Sequence, residues 1–179
     1  MRLFVGLRVP VSAHPAIEGA SKPLVDALGV RMMPPENWHL TLKFIGDVQD
    51  EAVMRKIEEA LSSVRFSPFE ILLMGAGAFP SEHSPNAIWI GGKSPGCVDL
   101  VTKISEALSF LNLPHERFTI HLTVARAPKR IADIEDFLVK HKEGTVCSFT
   151  ADRFQLMKSK LTPVGAVYEV IKEFKAQQG

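Results

Sequence analysis

The sequence predicts an α+β fold in which a duplicated, bilobal chain places two mainly antiparallel sheets around a central groove, with the helices outside. The first observation is a strand motif that occurs twice, as His39-Leu40-Thr41-Leu42 and His121-Leu122-Thr123-Val124. The second is a helical pattern on either side of each motif. The third is a near-constant separation of 82, 80 and 79 residues in three pairs, His39 with His121, Phe69 with Phe149, and Trp89 with Tyr168. Such spacing is typical of internal duplication, and we expect two lobes related by a pseudo-two-fold axis.

The first half contains a strand, a helix, the first motif strand and a second helix. A strand is predicted at residues 2–9, and a helix within residues 12–28 that Pro15 and Pro23 bound or interrupt. Residues 38–45 alternate in polarity and are rich in strand formers, which predicts the motif strand. Asp50 suits a helix N-cap, and an apolar stripe along residues 51–65 predicts the second helix.

The second half repeats this order after a hairpin. The hairpin is predicted from strands at residues 69–74 and 87–90 around a turn that contains Phe79-Pro80-Ser81. A helix over residues 98–111, ended by Pro114, precedes the second motif strand. A short helix at residues 133–141 and strands at residues 148–157 and 166–171 complete the pattern. Because neither unit can bury both faces of its sheet alone, we expect residues 1–179 to form a single bilobal domain.

Composition and charge limit the classes of function. The chain has 179 residues, 46% hydrophobic residues and a net charge of +1, which is typical of a soluble globular protein. That charge argues against a sequence-independent binder of long nucleic acid. Cys97 and Cys147 form no CxxC pair, so neither a disulfide framework nor a zinc knuckle is predicted. No signal-like segment or membrane-length apolar run is present, and we expect a cytoplasmic monomer without a membrane association.

The two motifs have the residue types that displacement at a phosphodiester needs. In a strand, His39 and Thr41 share one face, as do His121 and Thr123, while the intervening leucines point to the other. Displacement at phosphorus needs a base for the nucleophile and an acid for the departing oxygen, on opposite sides of phosphorus. Two histidines suit these roles because their ordinary pKa is about 6.5. The threonine hydroxyls can donate to the non-bridging phosphate oxygens.

Metal binding is the natural competing interpretation of paired histidines. Metal sites usually add a carboxylate or cysteine near the imidazoles, and neither motif contains one. We therefore expect a site with no metal and no cofactor, in which water is the attacking group. The two motifs are nearly identical, so the residues alone leave open which histidine is the acid and which the base.

The sequence resembles the two-histidine phosphoesterase superfamily, whose signature is a pair of His-x-Thr-x motifs, and in particular the RNA 2',3'-cyclic phosphodiesterase family, formerly named 2',5' RNA ligase. Similarity covers essentially the full chain, because residues 2–10, 35–46, 77–80, 87–91, 121–126 and 156–163 are all similar to the family pattern. Phe44 and Arg126 complete the family's HxTxxF and HxTxxR forms.

The resemblance implies roles for individual residues. It implies that His39 donates a proton to the leaving O3', that His121 accepts a proton from water, and that a 2'-phosphate results. It also suggests that Thr41 and Thr123 bind the phosphate and that Phe44 and Arg126 contact the substrate, an RNA terminus or a nucleotide 2',3'-cyclic phosphate. Strict alternation, however, would point Arg126 away from His121, so that Arg126 reaches the phosphate only if the strand bends or ends first.

Two other functions stay open. Within the same superfamily, the chain could join RNA ends through a 2',5' linkage or act on another cyclic phosphate. In a different class, it could bind RNA ends without catalysis, using the histidines only to hydrogen-bond a phosphate; turnover of a cyclic phosphate would separate these hypotheses.

Overall fold

Antiparallel strands organise the chain in the computed structural model, which describes all residues except 82, 84, 116, 127–143, 163–164 and 178–179. The strands are β1 (Arg2–Arg8), β2 (Arg31–Met32), β3 (His39–Asp47), β4 (Phe69–Phe79), β5 (Ala87–Lys93), β6 (His121–Arg126), β7 (Thr145–Ala151), β8 (Arg153–Thr162) and β9 (Gly165–Lys175). The helices are α1 (His14–Leu28), α2 (Glu51–Ser62) and α3 (Pro95–Ala107). Short 3₁₀ turns lie at Val11–Ala13, Pro35–Asn37 and Ser109–Leu111.

The strands hydrogen-bond in the order β7-β4-β5-β6-β3-β1-β8-β9, and β2 pairs with β6. Each of these pairings is antiparallel. The predicted α+β class with mainly antiparallel strands is therefore confirmed. The two predicted sheets are the two halves of this order, and one residue pair, Leu40 with Leu122, joins them between β3 and β6. They form one continuous sheet because the two motif strands approach closely enough for this single pairing.

The sheet order corrects two of the three residue correspondences predicted from the spacing. His39 and His121 lie on the two central strands, as counterparts should. Trp89 lies on β5, which is nearer the centre of the sheet than β4. Tyr168 lies on the edge strand β9, which is farther from the centre than β8. The counterpart of β5 is β1, because the N-terminal strand occupies the place between β3 and β8. Phe149 lies on β7, which pairs with β4 itself.

The helices follow the sequence patterns, with local differences. Asp50 caps α2 as predicted, since its side chain accepts hydrogen bonds from the backbone N–H groups of Ala52 and Val53. Pro15 lies in the first turn of α1, and the helix continues through Pro23 instead of ending there. Helix α3 starts at Pro95, earlier than predicted, because the Ser94 side chain caps it by accepting from the N–H of Cys97. The helix predicted at residues 133–141 lies outside the described residues.

The strands differ more from prediction where the chain changes partner. The strand predicted at residues 148–157 is two strands, β7 and β8, separated at Asp152. Strand β7 pairs with β4 and β8 pairs with β1, so the chain passes from one half of the sheet to the other at this residue. The sequence has no glycine or proline there to mark the change. Strand β4 also continues to Phe79, which shortens the predicted turn.

A single apolar cluster lies beneath both halves of the sheet. It includes residues from β1, β3, β5, β6 and β8 and from all three helices, with Trp38 and Phe154 among its largest fully buried side chains. Burial of this shared surface holds the two motif strands in fixed relative positions. Among the described residues, no helix is both long and apolar enough to cross a membrane.

Candidate active site

The two motif strands separate polar and apolar side chains as predicted. Leu40 and Leu122 are fully buried, while His39 and His121 are half-buried. Because Leu40 pairs with Leu122 in antiparallel register, the residues beside them place His39 opposite Thr123 and Thr41 opposite His121. Each histidine therefore faces the threonine of the other copy across the junction of β3 and β6.

Two adjoining cavities form a groove over this junction. The His39 cavity has a volume of about 400 Å³ and is lined by His39, Thr41, Arg126 and Tyr168, among others. The His121 cavity has a volume of about 370 Å³ and is lined by Thr41 and His121 and by residues of α3. Both cavities share Arg2, Thr41 and Phe44. The groove can therefore hold one small ligand with a histidine on each side.

Backbone carbonyls hold both imidazole rings in the same tautomer. The Nδ1 atom of His39 lies 2.7 Å from the carbonyl oxygen of Asn37. The Nδ1 atom of His121 lies 2.9 Å from the carbonyl oxygen of Thr119. A carbonyl oxygen only accepts, so Nδ1 carries the proton in both rings. The Nε2 atoms are then the nitrogens that take up or release a proton, which is the requirement for acid–base catalysis.

Burial sets the charge of His39 in the free protein. Desolvation by burial lowers the pKa of His39 to about 4, opposed by the hydrogen bond to the Asn37 carbonyl. The nearby positive groups of His121, Arg8 and Arg126 lower it further. His39 is therefore neutral at pH 7. An anionic phosphate beside Nε2 would raise this pKa, because opposite charge stabilises the imidazolium.

The lowered pKa of His39 predicts how the stability of the protein depends on pH. Between about pH 6.5 and pH 4 the unfolded chain takes up a proton at this residue and the folded chain does not. The free energy of unfolding should therefore fall as the pH decreases through this window, by roughly 1–3 kcal/mol. Urea unfolding of the wild type and of His39→Gln at pH 7 and pH 4.5 measures this contribution, which the variant should lack. An NMR titration midpoint of His39 near 6.5 would contradict the prediction.

Aromatic rings flank both histidines. Around His39, the ring centroids of Phe4 and Tyr168 lie 5.1 and 4.6 Å away. Around His121, those of Phe79 and Trp89 lie 5.2 and 6.5 Å away. Phe4 and Trp89 lie on the counterpart strands β1 and β5. Each imidazole is therefore in contact with two aromatic rings, and the geometry around His121 is edge-to-face, a favourable arrangement for aromatic pairs.

A β-bulge follows the threonine in both motifs. In β3, Val5 pairs with Lys43 and Gly6 with Thr41, which leaves Leu42 as the extra residue. In β6, Ile88 pairs with Ala125 and Trp89 with Thr123, which leaves Val124 as the extra residue. An extra residue reverses the alternation of side chains beyond it.

These bulges bring Phe44 and Arg126 to the histidine face. Both residues line the His39 cavity together with His39 and Thr41. The structure thus meets the condition under which Arg126 reaches the groove, since the strand is irregular before it. Phe44 is 38% exposed, and the Arg2 guanidinium lies 4.9 Å from the centre of its ring.

The groove also contains residues that the sequence did not single out. Arg2 lines both cavities, Tyr168 lines the His39 cavity and Arg117 lines the His121 cavity. Arg2 and Tyr168 reach the groove through the pairing of distant strands, and Arg117 lies in the loop before β6, so no local motif marks them. Lys158, on β8, forms an ion pair with Glu169 of β9 at 2.9 Å. Within the described part of the chain, no group of three or more His, Cys, Asp or Glu side chains is placed to hold a metal ion.

Comparison with known proteins identifies the family of the chain. Residues 15–89 match the family model described as LigT like Phosphoesterase. An RNA 2',3'-cyclic phosphodiesterase of Archaeoglobus fulgidus is 37% identical over 176 residues, which cover 97% of this chain and 99% of that protein. One of Methanocaldococcus jannaschii is 33% identical over 178 residues, covering 97% and 100%. The crystal structure of the Thermus thermophilus protein TT0787 superposes with a TM-score of 0.77 at 26% identity, covering 98% and 97% of the chains.

The fold and the paired histidine motifs define a LigT-like phosphoesterase of the two-histidine superfamily. Within that superfamily, the chain belongs to the RNA 2',3'-cyclic phosphodiesterase family.

Proposed function

We propose that this chain hydrolyses 2',3'-cyclic phosphates at RNA termini or on nucleotides, giving a 2'-phosphate without a metal ion. The observation that carries the proposal is the pair of half-buried histidines, each with Nδ1 bonded to a carbonyl and with Nε2 as the exchanging nitrogen, across one groove. The relatives' names, which specify RNA 2',3'-cyclic phosphodiesterase, support this substrate class.

In the proposed reaction, His121 takes a proton from water as the water oxygen attacks phosphorus. The bond from phosphorus to O3' breaks, and His39 gives its Nε2 proton to O3', so that the phosphate stays on O2'. The hydroxyls of Thr41 and Thr123 donate to the non-bridging oxygens, where negative charge accumulates. His39 must be protonated for this role, which requires the bound phosphate to raise its pKa from about 4.

We further propose that Arg126 binds the phosphate and that Phe44 contacts the nucleoside. Arg126 is exposed at the end of β6 and lines the His39 cavity, where its guanidinium can pair with a phosphate. Phe44 presents a partly exposed ring in the same cavity. The single apolar cluster beneath both sheet halves supports one bilobal domain over residues 1–179. We also propose a monomer in the cytoplasm, a location with which the free thiols of Cys97 and Cys147 are compatible.

The test is incubation of the protein with a nucleoside 2',3'-cyclic phosphate in excess EDTA, followed by identification of the product. We expect the nucleoside 2'-phosphate as the sole product, at a rate unaffected by the chelator. Formation of the 3'-phosphate, or a strict need for added metal, would contradict the proposed mechanism. Tight binding of the cyclic phosphate without conversion would instead favour a non-catalytic RNA-end binder. Addition of RNA with a 5'-hydroxyl end would reveal joining through a 2',5' linkage.

The proposed role of Arg126 gives a separate prediction. Arg126→Ala should lower kcat/KM for the cyclic phosphate by roughly 10- to 100-fold, because it removes a charged hydrogen bond to the phosphate. Arg31→Ala is the matched control: Arg31 is exposed and pairs with Arg126 across β2 and β6, yet it lines neither cavity of the groove. Steady-state kinetics should show less than a twofold change in the control. Equal losses in the two variants would refute a specific role for Arg126.

A further inference from the structure

A third cavity continues the groove beyond His121. This α3 cavity has a volume of about 890 Å³ and lies between α3 and residues 112–115, 117 and 118. It shares five lining residues with the His121 cavity, which are Lys43, Val101, Ser105, Arg117 and Phe118. A ligand can therefore pass from the histidines into this cavity without leaving the surface of the protein.

The lining of the α3 cavity suits a nucleotide. Its apolar part includes Val98, which is 54% exposed, and the half-buried Phe118. An aromatic ring such as that of Phe118 can stack on a base, and cations beside it attract phosphates. Lys43 and Arg117 supply two positive charges at the border with the His121 cavity, whereas Glu106 supplies a negative charge elsewhere in the lining. The volume lies within the range of roughly 300–1,000 Å³ that is usual for ligand sites.

The wall between the two cavities is fixed to the motif strand. The Nζ atom of Lys43, on β3, donates a hydrogen bond to the carbonyl oxygen of Pro114 at 3.0 Å. Lys43 lies two residues after Thr41, so this bond connects the wall of the α3 cavity to a strand that forms the groove. The wall of the α3 cavity is thereby attached to the strand that carries His39 and Thr41.

We infer that the α3 cavity binds the RNA nucleotides on the 5' side of the terminal cyclic phosphate. This inference rests on the proposed function and extends it, because it makes an oligonucleotide a better substrate than a mononucleotide. The continuity of the cavities, the two cations at their border and the partly apolar lining together fit a single strand of RNA.

The experiment compares a mononucleotide 2',3'-cyclic phosphate with a short oligoribonucleotide that carries the same end. We expect kcat/KM to be roughly tenfold higher for the oligonucleotide, since additional base and phosphate contacts contribute binding free energy. Its dependence on salt should also be steeper, by about 1.4 in the slope of log kcat/KM against log salt if both cations contact phosphates. Similar kcat/KM values for the two substrates would overturn the inference while leaving the proposed function intact.

Substitution of Val98 tests the location. Val98→Glu adds a negative charge to the α3 cavity, and an acidic side chain suits the first turns of a helix. It should lower kcat/KM for the oligonucleotide by roughly five- to tenfold and change that for the mononucleotide by less than twofold. Val98→Lys should raise the oligonucleotide value. Val11→Glu is the control, because Val11 is also exposed, at 78%, and does not line the α3 cavity.

Direct binding separates failure of the inference from failure of the proposed function. The probe is a fluorescent oligoribonucleotide with a terminal 2'-phosphate, followed by anisotropy. If neither substrate is hydrolysed but Val98→Glu weakens binding and Val98→Lys strengthens it, the proposed function fails and the RNA site stands. Binding that is the same in wild type and both Val98 variants, or equal losses for both substrates in the kinetic comparison, would overturn the inferred site.

Discussion

Replacement of His39 or His121 by alanine should lower kcat for cyclic-phosphate hydrolysis by roughly 10²-fold or more. Under the proposed mechanism each ring transfers one proton, and among the described residues each cavity of the groove is lined by one imidazole. Both rings are held by a carbonyl two residues earlier in the chain. We therefore expect the loss of either ring to lower kcat directly. Steady-state kinetics with the cyclic phosphate measures the effect.

The double variant and a control make this test specific. Because both histidines act on one transition state, the double replacement should cost much less than the product of the single effects. His14→Ala is the matched control, since His14 is half-buried against Trp38 and does not line either groove cavity. Product binding should survive in the single variants better than catalysis does. Single variants with nearly full kcat would remove the basis of the acid–base model.

A substrate whose leaving group needs no proton should restore most of the activity of His39→Ala and little of that of His121→Ala. An aryl phosphodiester with an activated phenolate meets this condition, because the phenolate departs without a general acid. The proposed donor is His39, so its absence should no longer matter, whereas the base is still needed to activate water. The ratio of kcat/KM between variant and wild type, compared for the two substrates, gives the result.

Because the pKa of His39 is lowered, this experiment can decide whether His39 is the acid or the base. A neutral His39 in the free protein is suited to accept a proton, and the donor role depends on the phosphate anion raising its pKa. Restored activity in His121→Ala instead would reverse the assignment. If neither variant recovers, proton transfer to the leaving group is not what the histidines supply. Thr41→Ala and Thr123→Ala should show milder losses with both substrates, since each removes one hydrogen bond and leaves proton transfer in place.

The sequence predicted the parts of this site that depend on local pattern. Alternation within the motif strands placed the histidines and threonines on one face and the leucines in the core, and the Asp50 cap and the stripe of α2 followed the same local rules. These features depend on residues that are close together in the sequence, within the same strand or helix.

Features that depend on pairing between distant strands could not be predicted in the same way. The position of β1 between β3 and β8, the change of partner at Asp152 and the single pairing of Leu40 with Leu122 are set by the assembled sheet. The same is true of Tyr168, which reaches His39 from the edge strand β9. Bulges belong to this class too, because they are defined only relative to the neighbouring strand.

The matching bulges at Leu42 and Val124 explain how a duplicated site can become asymmetric. Up to each bulge the two motifs have the same order of side chains, with a histidine and a threonine on one face of the strand. Beyond it, the His39 cavity is lined by Phe44 from one copy and by Arg126 from the other. A substitution at this position changes the side chain that contacts the substrate on one side of the groove, and it leaves the histidine and threonine unchanged. The two copies can therefore diverge, one toward an aromatic contact and one toward a positive charge, while the shared reaction geometry is retained.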